Sequence, residues 1–285
     1  MGYITNIGVM GNGYVGGTLI KAIKVRTAFK LSIYDKYQEK FKSKKFLEDV
    51  IDSHLIFICV PTPMLPNGAQ DNTNLIEAIK AINVSSIIII KSTIIPGTTA
   101  KMFKMFPQHS FIHSPEFLKE ESPYQDFINA DRVVLGILNP DSPIVPLLKD
   151  FYRQVSNCKN IFVVNWEEAE MCKYISNSFL ALKISFANEM EQICEKLDLD
   201  WDRVRETWIS DTRVGNSHTQ VPGPDGFKGY GGKCFPKDVK AFIQWALNSG
   251  LNVDTVIAAN KVNERVRDNK DWIDIVGATS DNNYR

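Results

Sequence analysis

The 285-residue chain is long enough for one large domain or two ordinary ones, and its 44% hydrophobic and 23% charged composition suits a globular fold with a sizeable core. Its 33 Lys and Arg balance 33 Asp and Glu, which gives no electrostatic reason to expect nucleic acid or an anionic membrane as a partner. No apolar run is long enough for a bilayer span: LIFICV (55–60) and VSSIIIIKSTII (84–95) are short or broken by polar residues. The N-terminal stretch MGYITNIGVMGNGYVGG lacks the basic region and cleavage site of a signal peptide. Cysteines 59, 158, 172, 194 and 234 are an odd set without zinc spacing, so reduced thiols in a cytoplasmic protein and no metal site are expected.

The first element is a short apolar strand within YITNIGVM (3–10), followed at once by GNGYVGGTLIKAIK. Gly11, Gly13 and Gly16 form G-x-G-x-x-G, with Tyr14 and Val15 inside the motif. The first glycine permits a tight turn, the second lets backbone approach a pyrophosphate, and the third packs helix on sheet. A second strand, KLSIYDK (30–36), brings Asp35 nineteen residues after Gly16, where a carboxylate binds the adenosine ribose. An acid there repels a 2′-phosphate, so the pattern predicts NAD rather than NADP. The alternative is a glycine-rich turn beside a solvated aspartate.

The pattern then repeats. HLIFICVPTPM (54–64) reads as a buried strand running into a loop with Pro61 and Thr62, and DNTNLIEAIKAI (71–82) as a capped helix. SSIIIIKSTIIPGTTAKMF (85–103) reads as a strand, a polar end with Thr93, and a helix start; strand regions follow in SFIHSPEFLKEES (110–122) and DRVVLGIL (131–138). Strands alternating with helices predict a Rossmann-like, doubly wound parallel sheet. Ligands bind beyond the carboxyl ends of such strands, which singles out Thr62, Thr93, Glu116 and Glu120, unless they are solvated or helix-capping.

WEEAEMCKYISNSFLALKISFANEMEQICEKLDL (166–199) contains no Pro or Gly, and apolar positions 172, 175, 179, 182, 186, 190, 193 and 197 recur at helical steps. One long helix is predicted, connecting to a smaller, mostly helical domain. Lys173 and Asn177 are one turn apart on it. Lys173 is either a site residue or a surface lysine paired with Glu167, Glu168 or Glu170. PKDVKAFIQWALNSG (236–250) predicts a second helix, with Pro236 in its first turn and Gly250 at its C-terminal cap. Cys234 therefore stands at a helix N-terminus, whose dipole favours a thiolate, with Lys233 and Lys237 adding positive charge. Gly229, Gly231 and Gly232 let the preceding backbone approach a ligand. Asp238 stands four residues on, placed to hold a water or a lysine. A nucleophilic cysteine is the better reading of Cys234 than a structural one. The expected boundaries are 1–165 for the NAD-binding domain, 166–275 for the long helix and helical domain, and 276–285 for a polar tail.

Seven blocks in order, GNGYVG, FICVPTPMLPNGAQDNT, IIKSTIIPGTT, SPEFLKE, AEMCKYISNSFLALKISFANE, RVG and GYGGKCFPKD, resemble the UDP-glucose/GDP-mannose dehydrogenase family, and most closely its branch that oxidises UDP-glucose. The resemblance implies two successive NAD-dependent oxidations of a nucleotide-sugar C6 alcohol to the carboxylate, UDP-glucuronate in that branch. It implies that Cys234 forms a thiohemiacetal and then a thioester, that Lys173 and Asn177 stabilise the oxyanion, and that Lys173 and Asp238 hold a water. Thr93 and Glu120 match positions serving thioester hydrolysis. Gly11, Gly13, Tyr14, Val15, Gly16, Asp35, Pro61, Thr62 and Thr93 match the cofactor site. Glu116, Phe117, Leu118, Lys173, Asn177, Arg213, Phe227 and Gly231 match the substrate site. A homodimer is implied as well. Family members carry a third, nucleotide-binding domain that this sequence is expected to lack, leaving a role for a second chain that supplies it. Two other readings are a cofactor-binding partner or regulator of a full-length enzyme, and a one-step NAD-dependent hydroxyacid dehydrogenase, which needs no thiol.

Overall fold

The computed structural model describes residues 4–119 and 121–280. They form two compact units, one comprising the chain up to Thr62 with Asn72–Lys173, the other Pro63–Asp71 with the chain from Tyr174 onward. The division between these units falls inside the long helix, and the loop Pro63–Asp71 belongs with the second unit.

In the first unit, β1 (Asn6–Met10), β2 (Lys30–Tyr34), β3 (Leu55–Ile58), β4 (Ile87–Ile90), β5 (Ser110–His113), β6 (Val133–Ile137) and β7 (Ile161–Val164) form one sheet in the order β2-β1-β3-β4-β5-β6-β7. The intervening helices are α1 (Tyr14–Arg26), α2 (Lys44–Ile51), α3 (Thr73–Lys80), α4 (Thr98–Met105), α5 (Pro123–Ile128) and α6 (Ile144–Val155). Leu55 and Phe57 pack with Ile7, Val9 and Ile89 on one face, while Ile56 and Ile58 pack with Met10, Ile88 and Ile90 on the other. Strands covered on both faces explain the unbroken apolar runs in the sequence. Two expectations need correction. The β5–β6 pair is antiparallel in an otherwise parallel sheet, because strand direction leaves no mark in an apolar run. The Asn72 side chain makes no cap bond to α3, since that asparagine lies at φ −99°, ψ 10° rather than in the extended conformation a cap uses.

Because β1 lies between β2 and β3, the winding reverses at β1, which opens a crevice at the carboxyl ends of β1 and β3. That crevice fixes where the first unit can take a dinucleotide.

Helices α7 (Trp166–Lys196), α8 (Trp201–Ile209), α9 (Phe235–Asn248) and α10 (Asp254–Val266) follow. Helix α9 closes as its sequence predicts: Gly250 lies at φ +71° and the Leu251 amide returns to the Ala246 carbonyl at 2.9 Å. The apolar stripe of α7 does not mark its buried side. Ile175, Phe179, Phe186, Ile193 and Leu197, five members of the apolar stripe, are exposed. The buried face carries Lys173, Tyr174, Asn177, Ser178, Ala181, Ser185 and Asn188 instead. Periodicity located the helix, but the buried side is chosen by hydrogen bonds that periodicity does not register. Among the described residues no helix is long and apolar enough to cross a membrane.

His113 ends β5 with no exposed surface, and neither ring nitrogen has a hydrogen-bond partner among the described residues. Burial first, and the Lys91 charge second, push its imidazole down from 6.5 to about 3. Unfolding releases the ring to its ordinary value, so the stability it confers is full above pH 6.5 and is lost as pH falls toward 3. Between pH 7.5 and 4.5 the wild type should lose roughly 2–3 kcal/mol more than a His113→Leu variant in denaturant melts. Equal losses in the two proteins would contradict this origin of acid sensitivity.

Candidate active site

The turn from β1 into α1 holds the glycine motif. Gly11 lies at φ +94°, and a Cβ on it would stand 2.6 Å from the Cys59 carbonyl oxygen of the neighbouring strand end. A Cβ on Gly16 would lie 1.8 Å from the Gly11 carbonyl oxygen, so helix and turn approach only because that side chain is missing. A Cβ on Gly13 would meet nothing within 4 Å. Gly13 also occupies the N-cap position of α1 and offers no side-chain acceptor. The space beside Gly13, at the positive end of the α1 dipole, is therefore open, which suits a pyrophosphate. Tyr14 donates its hydroxyl to the Lys119 carbonyl, and Val15 packs on the core of the sheet.

Asp35 follows β2 and is buried. One carboxylate oxygen accepts the Asn12 amide of the glycine turn at 2.7 Å, and the other accepts the Tyr37 and Gln38 amides at 2.8 and 3.1 Å. A carboxylate has about four acceptor positions, so these bonds leave room for a ribose hydroxyl. The loops after β3 and β4 are laced together: Thr62 donates its hydroxyl to the Thr93 carbonyl at 2.7 Å and Ser92 donates to the Val60 carbonyl at 2.7 Å. The Pro61 carbonyl accepts from the Asn74 side chain at 3.2 Å. The residues present thus fit a bound dinucleotide.

Lys173 is buried and paired with Glu116 at 3.1 Å, which overturns the surface alternative. The other Glu116 oxygen accepts the Leu118 amide at 2.7 Å. Between these residues the Phe117 ring lies 4.1 Å from the Arg132 guanidinium and 5.5 Å from the Lys173 ammonium. Glu170 faces elsewhere, accepting the Gly97 amide at 2.6 Å and the Thr99 amide and hydroxyl at 2.7 and 2.6 Å. Burial pushes its carboxyl up to about 7 against the pull of those donors. Lys91 was missed in the sequence. Its buried ammonium donates to the Ser114 carbonyl at 2.6 Å and fixes the turn that delivers Glu116. The available signal was a lysine directly after four isoleucines. Glu120 lies outside the described residues.

The second unit presents its own cluster. Asp238, in the first turn of α9, accepts the Asn177 side-chain amide at 2.6 Å and pairs through its other oxygen with Lys237; all three residues are buried. Cys234 occupies the N-cap position of α9, and its carbonyl accepts the Asp238 amide at 2.9 Å. The thiol is thereby set at the positive end of the helix, one turn from a buried carboxylate. Cys59, by contrast, is buried, and desolvation pushes its thiol up to about 12, as an inert core cysteine requires. Arg213 is not part of the buried cluster: it is exposed and forks onto Asp211 at 2.6 Å, while Lys183 binds the Val214 and Gly215 carbonyls at 3.1 and 3.2 Å. Phe227 is exposed, 5.1 Å from the Arg267 guanidinium. Gly231 lies beneath that same guanidinium, where a Cβ would stand 2.1 Å from it. At this position the glycine requirement is internal, a reason the sequence did not reveal.

Residues 35–156 match the NAD binding domain of the UDP-glucose/GDP-mannose dehydrogenase family, and residues 167–265 match its central domain. The chain belongs to this family. Its cofactor is NAD. It is 32% identical to a UDP-glucose 6-dehydrogenase of Rickettsia bellii over 90% of this chain and 67% of that protein. With a UDP-glucose 6-dehydrogenase of Bacillus subtilis it shares 34% identity over 75% of this chain and 47% of that one. The chain thus spans two thirds of one curated relative and about half of the other. A UDP-glucose dehydrogenase from Pyrobaculum islandicum superposes with a TM-score of 0.79 at 30% identity, covering 92% of this chain and 68% of that one.

Asp35 is the residue expected to set cofactor choice, because a 2′-phosphate would meet a buried carboxylate. Fluorescence titration should give NAD at least about tenfold tighter than NADP, a margin of roughly 1.4 kcal/mol. Asp35→Ala should narrow the gap. Equal binding by the wild type would remove Asp35 from this role.

Proposed function

We propose that the chain is a nucleotide-sugar 6-dehydrogenase that oxidises the C6 alcohol to a carboxylate in two stages, with UDP-glucose to UDP-glucuronate as the first conversion to test. The observation that carries the proposal is Cys234 at the start of α9, one turn from the buried Asn177–Asp238–Lys237 cluster. A dehydrogenase that stops at an aldehyde or ketone has no use for a nucleophile in that position. NAD, when bound, supplies the two-electron oxidising power of each stage.

The remaining steps fall to side chains of this chain. Asp238, backed by Lys237, takes the alcohol proton through a water as the aldehyde forms. The Cys234 thiolate then adds to the aldehyde carbon, forming a C–S bond and placing negative charge on the former carbonyl oxygen. The Lys173 ammonium and the Asn177 amide are the donors for that oxyanion, and one of them or a water returns a proton to give the thiohemiacetal. Oxidation of this adduct, with its hydroxyl proton passed to water, leaves a thioester on Cys234. A water placed by Thr93 and Glu120 gives one proton to the Glu120 carboxylate as it adds to the thioester carbon, the C–S bond breaks, and the thiolate leaves the product acid, which loses its remaining proton to solvent. Covalent capture explains why the intermediate would not escape half oxidised. Glu116, Phe117, Leu118, Arg213, Phe227 and Gly231 are assigned to the sugar nucleotide. For Arg213 this means exchanging Asp211 for a ligand group, an exchange its exposure permits.

A homodimer is also proposed, and the exposed α7 stripe of Ile175, Phe179, Phe186 and Ile193, continued by Leu197 just beyond the helix, is the surface suited to it. A Phe179→Glu variant should elute as a monomer where the wild type elutes as a dimer. A wild type that is monomeric at micromolar concentration would remove the assignment.

NADH formation across a panel of nucleotide sugars tests the reaction, with Cys234→Ala as the decisive variant. Net oxidation to the acid should fall by at least about a hundredfold, with NAD binding intact. Wild-type turnover through both stages by Cys234→Ala would end the thiol mechanism. Lys173→Ala carries a second consequence, because it leaves the buried Glu116 carboxylate without its ammonium partner. A stability loss of roughly 3–5 kcal/mol should accompany its loss of turnover. An unchanged melting midpoint would mean that Glu116 finds another partner.

A further inference from the structure

The loop Gly229–Gly232, which delivers Cys234 to α9, is held at nearly every residue from outside the loop. The Gly229 amide donates to the Asn188 side chain at 3.0 Å. The Tyr230 amide donates to the Asn263 side chain at 2.6 Å, and its carbonyl accepts from the same side chain at 3.0 Å. The Gly232 amide donates to one oxygen of Asp271 at 3.0 Å. The other Asp271 oxygen accepts from the Arg267 guanidinium at 3.1 Å. Arg267 is itself almost wholly buried, with its Nε bound to the Asn269 carbonyl at 2.7 Å and a second terminal nitrogen 2.7 Å from Asp225. Its guanidinium rests over Gly231 and beside the Phe227 ring. Gly229 and Gly232 take φ values of +72° and +73°, so the loop adopts a conformation that few other residues would hold.

Asn188 and Asn263 lie within the region matching the family's central domain, which ends at residue 265. Arg267 and Asp271 lie beyond it. We propose that the Arg267–Asp271 pair is a positioning device for Cys234, fixing the glycine loop from the segment after α10 so that the thiol is seated at the N-terminus of α9. The inference rests on the reading of Cys234 as the nucleophile. Asp271 is the link, since one carboxylate joins a buried cation to the loop backbone. Without it the Gly232 amide loses its acceptor and the last turn of the loop before Lys233 and Cys234 loses its anchor. The thiol then spends less time at the helix start, and the stabilisation of its thiolate by the helix dipole weakens.

The test follows Cys234 itself rather than turnover. Iodoacetamide labelling is measured as a function of pH in the full chain, and the Cys234 peptide is quantified by mass spectrometry, separately from Cys172 and the buried cysteines. Asp271→Ala removes the link while leaving Asp225 on Arg267. Its labelling midpoint should rise by about half a pH unit or more, on the scale of a helix-terminus interaction. Asp271→Asn, which keeps an oxygen for the Gly232 amide, should recover most of the shift. Arg267→Lys keeps the charge but not the fork, should shift the midpoint in the same direction, and decides the matter if Asp271→Ala fails to fold. Midpoints unchanged in folded variants, with only the melting temperature lowered, would overturn the proposal and leave the pair a structural strap. A shifted midpoint in a chain that makes no NADH would support the positioning role and count against the proposed reaction.

Discussion

A buried charge has to be answered by a partner, and the long helix is organised around that requirement. Helix α7 turns inward the side that carries Lys173, Asn177, Ser185 and Asn188, each closely held: Lys173 by Glu116, Asn177 by Asp238, Ser185 by the Ala259 carbonyl, and Asn188 by the Gly229 amide. Removing one member of such a pair strands the other in a low-dielectric interior, which is far more costly than losing a surface contact. Within each unit these pairings therefore decide which side of its part of α7 is buried. They also leave the apolar side of α7 facing solvent, an arrangement that a purely hydrophobic account would reverse.

The same requirement explains how much of the molecule could be read beforehand. The apolar strand runs, the glycine turn and Asp35 were legible because each has a local signature: burial on two faces, positive φ or close approach, and a fixed distance from the motif. The start and end of α9 were legible for the same reason, since proline, cysteine and a terminal glycine mark them. The face of α7 was not, because apolar periodicity ranks residues by hydrophobicity and cannot see that Asn177 will meet Asp238. Lys173 illustrates the limit best. Three glutamates precede it in the sequence, yet its partner is Glu116, 57 residues away, while Glu170 is spent on the N-terminus of α4.

The glycine loop shows a second limit. Glycines before a cysteine suggest room for a ligand, and Gly13 does face open space in the first unit. Gly229 and Gly231 are small for another reason, since Asn263 and Arg267 occupy the positions their Cβ atoms would take. One composition serves two purposes, and only the packing around each glycine separates them. The place of Cys234 at a helix start was therefore readable, while the frame that sets it there depended on residues far along the chain.

Stoichiometry tests the central claim most directly, because the proposed thiol has a purpose only if oxidation proceeds beyond the aldehyde. Purified protein supplied with NAD and UDP-glucose, in the presence of an aldehyde-trapping amine, should release two NADH for each sugar nucleotide consumed, with the product recovered as the acid and no trapped aldehyde. One NADH per sugar nucleotide, with the aldehyde captured by the amine, would contradict the account.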